Sequence, residues 1–183
     1  MELNIAQRMW AVKMTDSTFC PCPKNKQLGK QNKSAKKRNP LSLKSLDKKL
    51  WRIFSRFIRI RDANDKGITR CISCGKHIQV WFVSGRFNQQ CHAGHYYNQG
   101  SYYKSLKYDE KNVHAQCCHC NTYLEGNKQG YREGIIKRYG QEVIDYLDVK
   151  KTITSIWHIE EYELNIKVYQ KKLKKLEKEK GLC

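Results

Sequence analysis

The chain has 183 residues, enough for one domain of ordinary size with extensions. Its hydrophobic fraction of 39% and mean hydropathy of −0.80 are low for a chain that folds throughout, and no run of about 18 apolar residues exists, which excludes a membrane-spanning helix. Lys+Arg number 36 against 17 Asp+Glu, a net charge of +19, so the expected partner is a polyanion, either nucleic acid or an anionic membrane surface.

The opening Met1-Glu2-Leu3-Asn4 lacks the basic-then-apolar order of a signal peptide. The chain is therefore expected in the cytoplasm, where thiols stay reduced and paired cysteines read as metal ligands. An odd total of nine cysteines fits that better than a disulfide framework. Charge is unevenly spread: between Lys24 and Arg61 fourteen bases stand against one acid, Asp47. Residues 1–40 read as a basic arm, disordered without a partner, with Lys33, Lys36, Lys37 and Arg38 as phosphate contacts. Cys20-Pro21-Cys22 lies in that arm with no second pair nearby and is assigned no role, nor is Cys183.

Residues 41–150 form the expected central domain. After Pro40, Leu43, Leu46, Leu50, Phe54, Phe57 and Ile60 recur at steps of three or four. That predicts a helix from Ser42 to Asp62, apolar on one side, with Lys48, Lys49, Arg52 and Arg56 directed outward to DNA. Ile78–Val83 is rich in β-formers and closed by Ser84-Gly85, which predicts one strand. A helix over Lys128–Tyr139 should end at Gly140, followed by a shorter one near Glu142–Asp148. Residues 151–183 hold a C-terminal amphipathic helix, Ser155–Lys180, with Ile159, Tyr162, Ile166, Tyr169, Leu173 and Leu176 as a heptad-like seam. Such a seam serves either packing on its own domain or a coiled-coil homodimer.

Two C-x-x-C hooks, Cys71-Ile72-Ser73-Cys74 and Cys117-Cys118-His119-Cys120, supply four thiolates for one tetrahedral structural zinc. One such hook is weak evidence; two in a reducing compartment are strong. Gly75 follows the first hook, where the knuckle turn favours a residue without Cβ. Cys118 and His119 compete within the second hook, but the spacing favours Cys117 and Cys120. The bland alternative is a set of buried or redox cysteines.

Four of the six histidines fall between His92 and His119, a concentration that a nuclease centre or a second zinc site would explain. An HNH-type nuclease needs a hairpin followed by a helix. It needs a histidine base on the first strand, an asparagine bracing the loop, and a ligand at the helix start for a hard divalent ion. His95 is the expected base and Asn112 the brace, while His92, Asn121 and His114 are the candidate ligands for a catalytic Mg2+ or Mn2+. Each has a structural alternative: a hydrogen-bonded strand histidine, a helix cap for Asn121, a packed ring for His114. Tyr96, Tyr97, Tyr102 and Tyr103 would stack on DNA or serve the core, and Lys104 and Lys107 would flank the nucleic acid.

At these residues the chain resembles the phage NinG (Rap) recombination proteins. The likeness rests on Cys-Ile-Ser-Cys-Gly, Ala-Gly-His-Tyr, Asn-Val-His-Ala-Gln-Cys-x-x-Cys-Asn, Gly126-Asn127, Tyr131-Arg132, Tyr139-Gly140-Gln141-Glu142 and Trp157-x-x-Glu160-Glu161, covering roughly Phe54 to Leu176. Cys120-Asn121 is also similar to the zinc-bearing junction resolvases of the endonuclease VII type. The resemblance implies an α+β fold with a zinc-stapled ββα-metal (HNH-like, treble-clef type) core, flanking helices and a long C-terminal helix. It further implies endonuclease action on branched DNA, such as Holliday junctions and D-loops, in the bacterial host cytoplasm. One departure stands out: the family commonly has Asp where this chain has His92, and imidazole shifts preference from Mg toward Mn, Ni or Zn. The rival reading is a non-catalytic zinc-containing DNA-binding recombination module; a sequence-specific HNH enzyme is a second. Membrane binding is disfavoured because the basic arm has little apolar matter to insert.

Overall fold

The computed structural model describes residues 42–98 and 104–182. The basic arm, with Lys33, Lys36, Lys37 and Arg38, lies outside the described residues, as do Tyr102, Tyr103, Cys20, Cys22 and Cys183.

The architecture is mixed, with five helices and two small antiparallel sheets among the described residues. Helix α1 spans Leu43–Asp62, and the Ser42 hydroxyl caps it by accepting from the Ser45 backbone N–H at 3.3 Å. The predicted periodicity does what amphipathicity requires: Leu46, Leu50, Phe54, Phe57 and Ile58 are buried against the last helix, α5 (Ile159–Glu179). There Tyr162, Ile166 and Tyr169 face them, with Leu173 and Leu176 partly buried beside them. Five of the six seam residues thus pack within the chain, and Ile159 is exposed. Ion pairs lock the two helices together, Arg56 to Glu177 at 2.6 Å and, past the end of α1, Lys180 to Asp65 at 3.0 Å.

Strands β1 (Ile68–Arg70) and β2 (His77–Gln79) form the first ribbon, enclosing the first cysteine hook. The predicted strand over 78–83 is cut short by a change of partner. Val80 bonds to Gly67, whereas Phe82 bonds to Arg86, and Trp81 bridges Phe87 in a separate short loop. The second ribbon pairs β3 (Cys91–His95) with β4 (Val113–Cys117), setting His92 opposite Gln116, Gly94 opposite His114 and His95 opposite Val113. A single helical turn, α2 (Lys104–Lys107), lies between these strands.

After β4 the chain makes a π-helical turn, His119–Tyr123, then enters α3 (Lys128–Tyr139) and α4 (Gln141–Lys151). The cap of α3 is Asn127, whose side chain accepts from the Gly130 N–H at 3.4 Å. Helix α4 runs a turn further than predicted. Tyr131, Ile135, Val143, Ile144 and Leu147 form a third core cluster with Ile72, Tyr96 and Leu106. At Gly134 α3 touches the first knuckle so closely that a Cβ would collide with the Ile72 carbonyl. No helix among the described residues is long and apolar enough to cross a membrane.

Candidate metal centre and active site

The two hooks meet. The sulfurs of Cys71, Cys74, Cys117 and Cys120 all lie within 4.8 Å of one another, and Cys74 Sγ is 3.9 Å from Cys117 Sγ. A tetrahedron of zinc–thiolate bonds of about 2.3 Å has edges of about 3.8 Å, so the spacing suits that ion. The knuckles are built to present thiolates. Backbone N–H groups point at the sulfurs, Cys117 N to Cys71 Sγ and Cys120 N to Cys117 Sγ, each at 3.4 Å, and Asn127 Nδ2 donates to Cys120 Sγ at 3.6 Å. The hydrogen bond shared with the Cys117 thiol lowers the Cys71 pKa and raises that of Cys117, so in the absence of a metal one thiolate is shared between them, with burial opposing ionisation of both. Gly75 takes the left-handed φ of +72° that the first knuckle needs. Within the second hook His119 is exposed and stacks on Tyr123 instead of joining the sulfurs.

Beside this centre, β3 and the π-helical turn bring His92 and Asn121 together. Asn121 Nδ2 lies 2.9 Å from His92 Nδ1, and His92 Nε2 lies 3.1 Å from the Gln89 carbonyl. A carbonyl only accepts, so Nε2 carries the proton and Nδ1 accepts from Asn121. Burial, foremost, lowers the His92 pKa and keeps the ring neutral. Asn121 is therefore no cap for α3; it belongs to the turn that leaves the second hook.

His95 stands apart from this pair, because residues three apart on a strand project to opposite faces. Its ring stacks on Trp51 of α1, with centroids 5.0 Å apart, and Nε2 donates to the Lys107 carbonyl at 3.0 Å. Burial, the largest cause, pushes its pKa down to about 4, so the imidazole is neutral with Nδ1 as its accepting nitrogen. Asn112 is fully buried and braces the loop as expected. Its side chain accepts from Tyr97 N at 2.8 Å and donates to the carbonyls of Tyr97 and Leu106 at 3.1 and 2.9 Å.

His114 requires a correction. Its Nδ1 sits 3.0 Å from Arg61 Nη2 and 3.7 Å from the Asp62 carboxylate, Nε2 is 3.1 Å from the Lys111 carbonyl, and Tyr139 stacks on the ring. Its Nδ1 faces the partly buried Arg61 guanidinium, whose positive charge repels a second cation, so His114 is not placed to hold an ion. Lys107 likewise leaves the DNA-facing set: it is 8% exposed and pairs with Asp47 at 2.6 Å. Lys104 also pairs with Asp47, at 3.3 Å. By contrast Lys48, Lys49 and Arg52 are exposed on α1. Lys44, Lys48, Arg52, Arg56 and Arg59 recur at helical spacing and make a basic stripe about 22 Å long, but Arg56 is drawn to Glu177 at 2.6 Å and, like Lys107, leaves the set of residues free to meet DNA. The stripe ends near His92, where Arg59 Nη1 donates to the Cys91 carbonyl at 3.4 Å and Arg56 and Arg59 both cover the Phe87 ring.

Three further residues shape the site. Gln116 is fully buried opposite His92, Asp62 clamps β4 by accepting from Ala115 N at 2.6 Å, and Gly94 lies under Gln116 and Asn121. Strand alternation would have put Gln116 beside His92 had the hairpin register been known; nothing local marks Asp62.

The family model described as "Bacteriophage Lambda NinG protein" matches residues 13–179. The chain is similar to Protein ninG of Escherichia phage 933W and of Escherichia phage lambda, each 36% identical over 120 residues, covering 66% of this chain and 52% of theirs. Protein ninG of Salmonella phage P22 is 34% identical over the same length and shares. The chain thus matches about half the length of these curated relatives. No solved structure matches.

Proposed function

Since the chain belongs to the Bacteriophage Lambda NinG protein family, we propose that it is a metal-dependent HNH-type endonuclease. Its substrate would be branched DNA, such as Holliday junctions and D-loops, during phage recombination in the host cytoplasm. The observation that carries the reading is the meeting of His92 and Asn121, 2.9 Å apart, at the junction of a β-hairpin and the turn leaving a four-cysteine centre. A zinc ion held by Cys71, Cys74, Cys117 and Cys120 would tie the ends of that hairpin to the turn, as a ββα-metal core requires.

His92 through Nδ1 and Asn121 through its amide oxygen are the groups that would hold a catalytic Mg2+ or Mn2+. When bound, the ion would supply Lewis-acid stabilisation of charge on the phosphate and leaving oxygens. His95 has the protonation state a general base needs: the Lys107 carbonyl fixes its tautomer, and Nδ1 is left to accept a proton from attacking water. Asn112 holds the loop from which the Lys107 carbonyl reaches His95. The α1 stripe would grip successive phosphates without reading sequence, and its end near Arg59 would deliver a phosphate toward His92. In-line attack would leave 5′-phosphate and 3′-hydroxyl ends.

The test is nicking of a four-way junction, with its linear arms as control, by zinc-loaded protein in Mg2+ or Mn2+. Junction cutting is expected, with Asn121→Ala and His95→Ala each slower by about 100-fold or more. Undiminished cutting by His95→Ala would remove the base role alone. Junction binding without cutting in either ion would overturn the nuclease and leave the non-catalytic zinc-containing recombination module.

A further inference from the structure

Gln116 Oε1 is an unpaired oxygen in a fully buried side chain, a rare and costly state. The amide cannot simply be turned round, because its nitrogen donates at 2.7 Å to the Gly126 carbonyl, which only accepts, and at 2.7 Å to Ser73 Oγ. The oxygen therefore stays aimed across Gly94 toward Asn121. A Cβ on Gly94 would overlap Gln116 Oε1 and come within 3.0 Å of Asn121 Oδ1, so two amide oxygens face the same space with no donor between them. Asn121 is held in this orientation from its other side, where its nitrogen donates to His92 Nδ1.

Rotating the Asn121 amide by half a turn resolves the conflict. Its nitrogen would then face Gln116 Oε1 and donate to it, and its oxygen would face His92 Nδ1. Two acceptors would now meet at His92, an arrangement that calls for a cation. We propose that Gln116 is a positioning residue for the catalytic ion: its buried oxygen selects the Asn121 rotamer whose amide oxygen joins His92 Nδ1 in binding a divalent cation. The inference rests on the reading of His92 and Asn121 as an ion site and adds the element that decides which end of the asparagine faces it. Gly94 serves the same end by leaving room for the two amides to meet.

The experiment is Mn2+ binding to zinc-loaded full chain, by titration calorimetry with electron paramagnetic resonance, in a double-mutant cycle. Gln116→Met removes the oxygen at nearly constant volume and is expected to weaken Mn2+ binding about tenfold, the scale of one net hydrogen bond. In an Asn121→Asp background the same change should cost less than about twofold, because a carboxylate offers oxygen at both ends and needs no orienting. Equal loss in both backgrounds would mean that Gln116 only supports the fold and would overturn the proposal. So would no loss in the Asn121 chain; if Asn121→Ala still abolished binding, the ion site itself would stand. Wild type that binds no Mn2+, or Asn121→Ala that binds it unchanged, would remove the ion site and this inference together. Should Gln116→Met fail to retain zinc, the wild-type Asn121 side-chain amide decides by NMR. On adding Mg2+ its proton contacts should pass from the His92 ring to the Gly94 α-protons, and unchanged contacts would refute the rotation.

Discussion

Replacing Asp62 with asparagine tests the polar clamp that joins α1 to the site hairpin. The Asp62 side chain is 2% exposed, lies 2.8 Å from Arg61 Nε and 3.7 Å from His114 Nδ1, and accepts from Ala115 N at 2.6 Å. Burial alone would raise its pKa, but the neighbouring His114 ring and the hydrogen-bonded Arg61 guanidinium outweigh burial and lower it from 3.8 to about 2. A depression of nearly two units corresponds to about 2 kcal/mol of folding stability. The sign follows from linkage: the stabilisation is fully present above the unfolded value near 3.8 and fades as pH falls toward about 2. The amide of Asp62→Asn keeps an oxygen for Ala115 N, so the substitution removes the charge and little else. Urea unfolding at fixed free zinc should show the variant less stable by about 2 kcal/mol, with the gap flat from pH 5 to 8 because the titration lies below that window. A variant as stable as wild type at pH 7, or a gap that varies across the window, would refute the argument.

Removing zinc with a chelator, or substituting Cys71→Ser, should lower the melting temperature sharply and release one zinc per chain, read by calorimetry and metal analysis. Lys48→Gln and Arg52→Gln should each reduce the salt-dependence slope of junction binding by about 1. Lys107→Gln should leave that slope unchanged and lower the melting temperature, because it strips Asp47 of its 2.6 Å partner; anisotropy titrations at several salt concentrations, with a melting curve, separate the two. Carbon-13 NMR of the histidine rings should place the His95 midpoint near 4 and not at the ordinary value near 6.5. Gly94→Ala should lose Mn2+ binding and stability together, since its methyl would overlap Gln116 Oε1.

Much of the scaffold could be read from residue order. Steps of three and four placed α1 nearly to the residue and α5 correctly at its end but four residues early at its start, Gly140 ended α3 where expected, and the x-x spacing picked Cys117 and Cys120 from four candidates in the second hook. Those features are local: each depends on neighbours within one or two turns. The strand predicted over 78–83 failed because hydrogen-bonding partners change at Val80, and a change of partner leaves no periodic mark. His114 and Lys107 were misread for a related reason. A histidine or lysine looks like a ligand or phosphate contact until Asp62 or Asp47, more than 50 residues away in sequence, arrives beside it. Asn112 was legible as a brace because a buried asparagine between a hairpin and its loop has few other uses. The opposed faces of His92 and His95 follow from strand alternation, yet that needs the strand boundaries first. Gln116 could have been placed beside His92 only from the hairpin register, and its orphaned oxygen appears only once the whole environment is built.

The pairing of α1 with α5 also fixes an order of events during synthesis. The cysteine hooks close a loop whose contacts are 46 residues apart, Cys71 Sγ with Cys117 N, whereas Arg56 and Glu177 are 121 apart. Shorter loops close at lower entropic cost. A nascent chain can therefore capture its metal, and rest α1 on Tyr108 and the hairpin, while the part of its apolar flank that meets α5 is still uncovered. For as long as α5 remains inside the ribosome, the sides of Phe54 and Phe57 that meet Tyr169 stay open to water, and that interval is when the newborn protein is most exposed to chaperones and to aggregation.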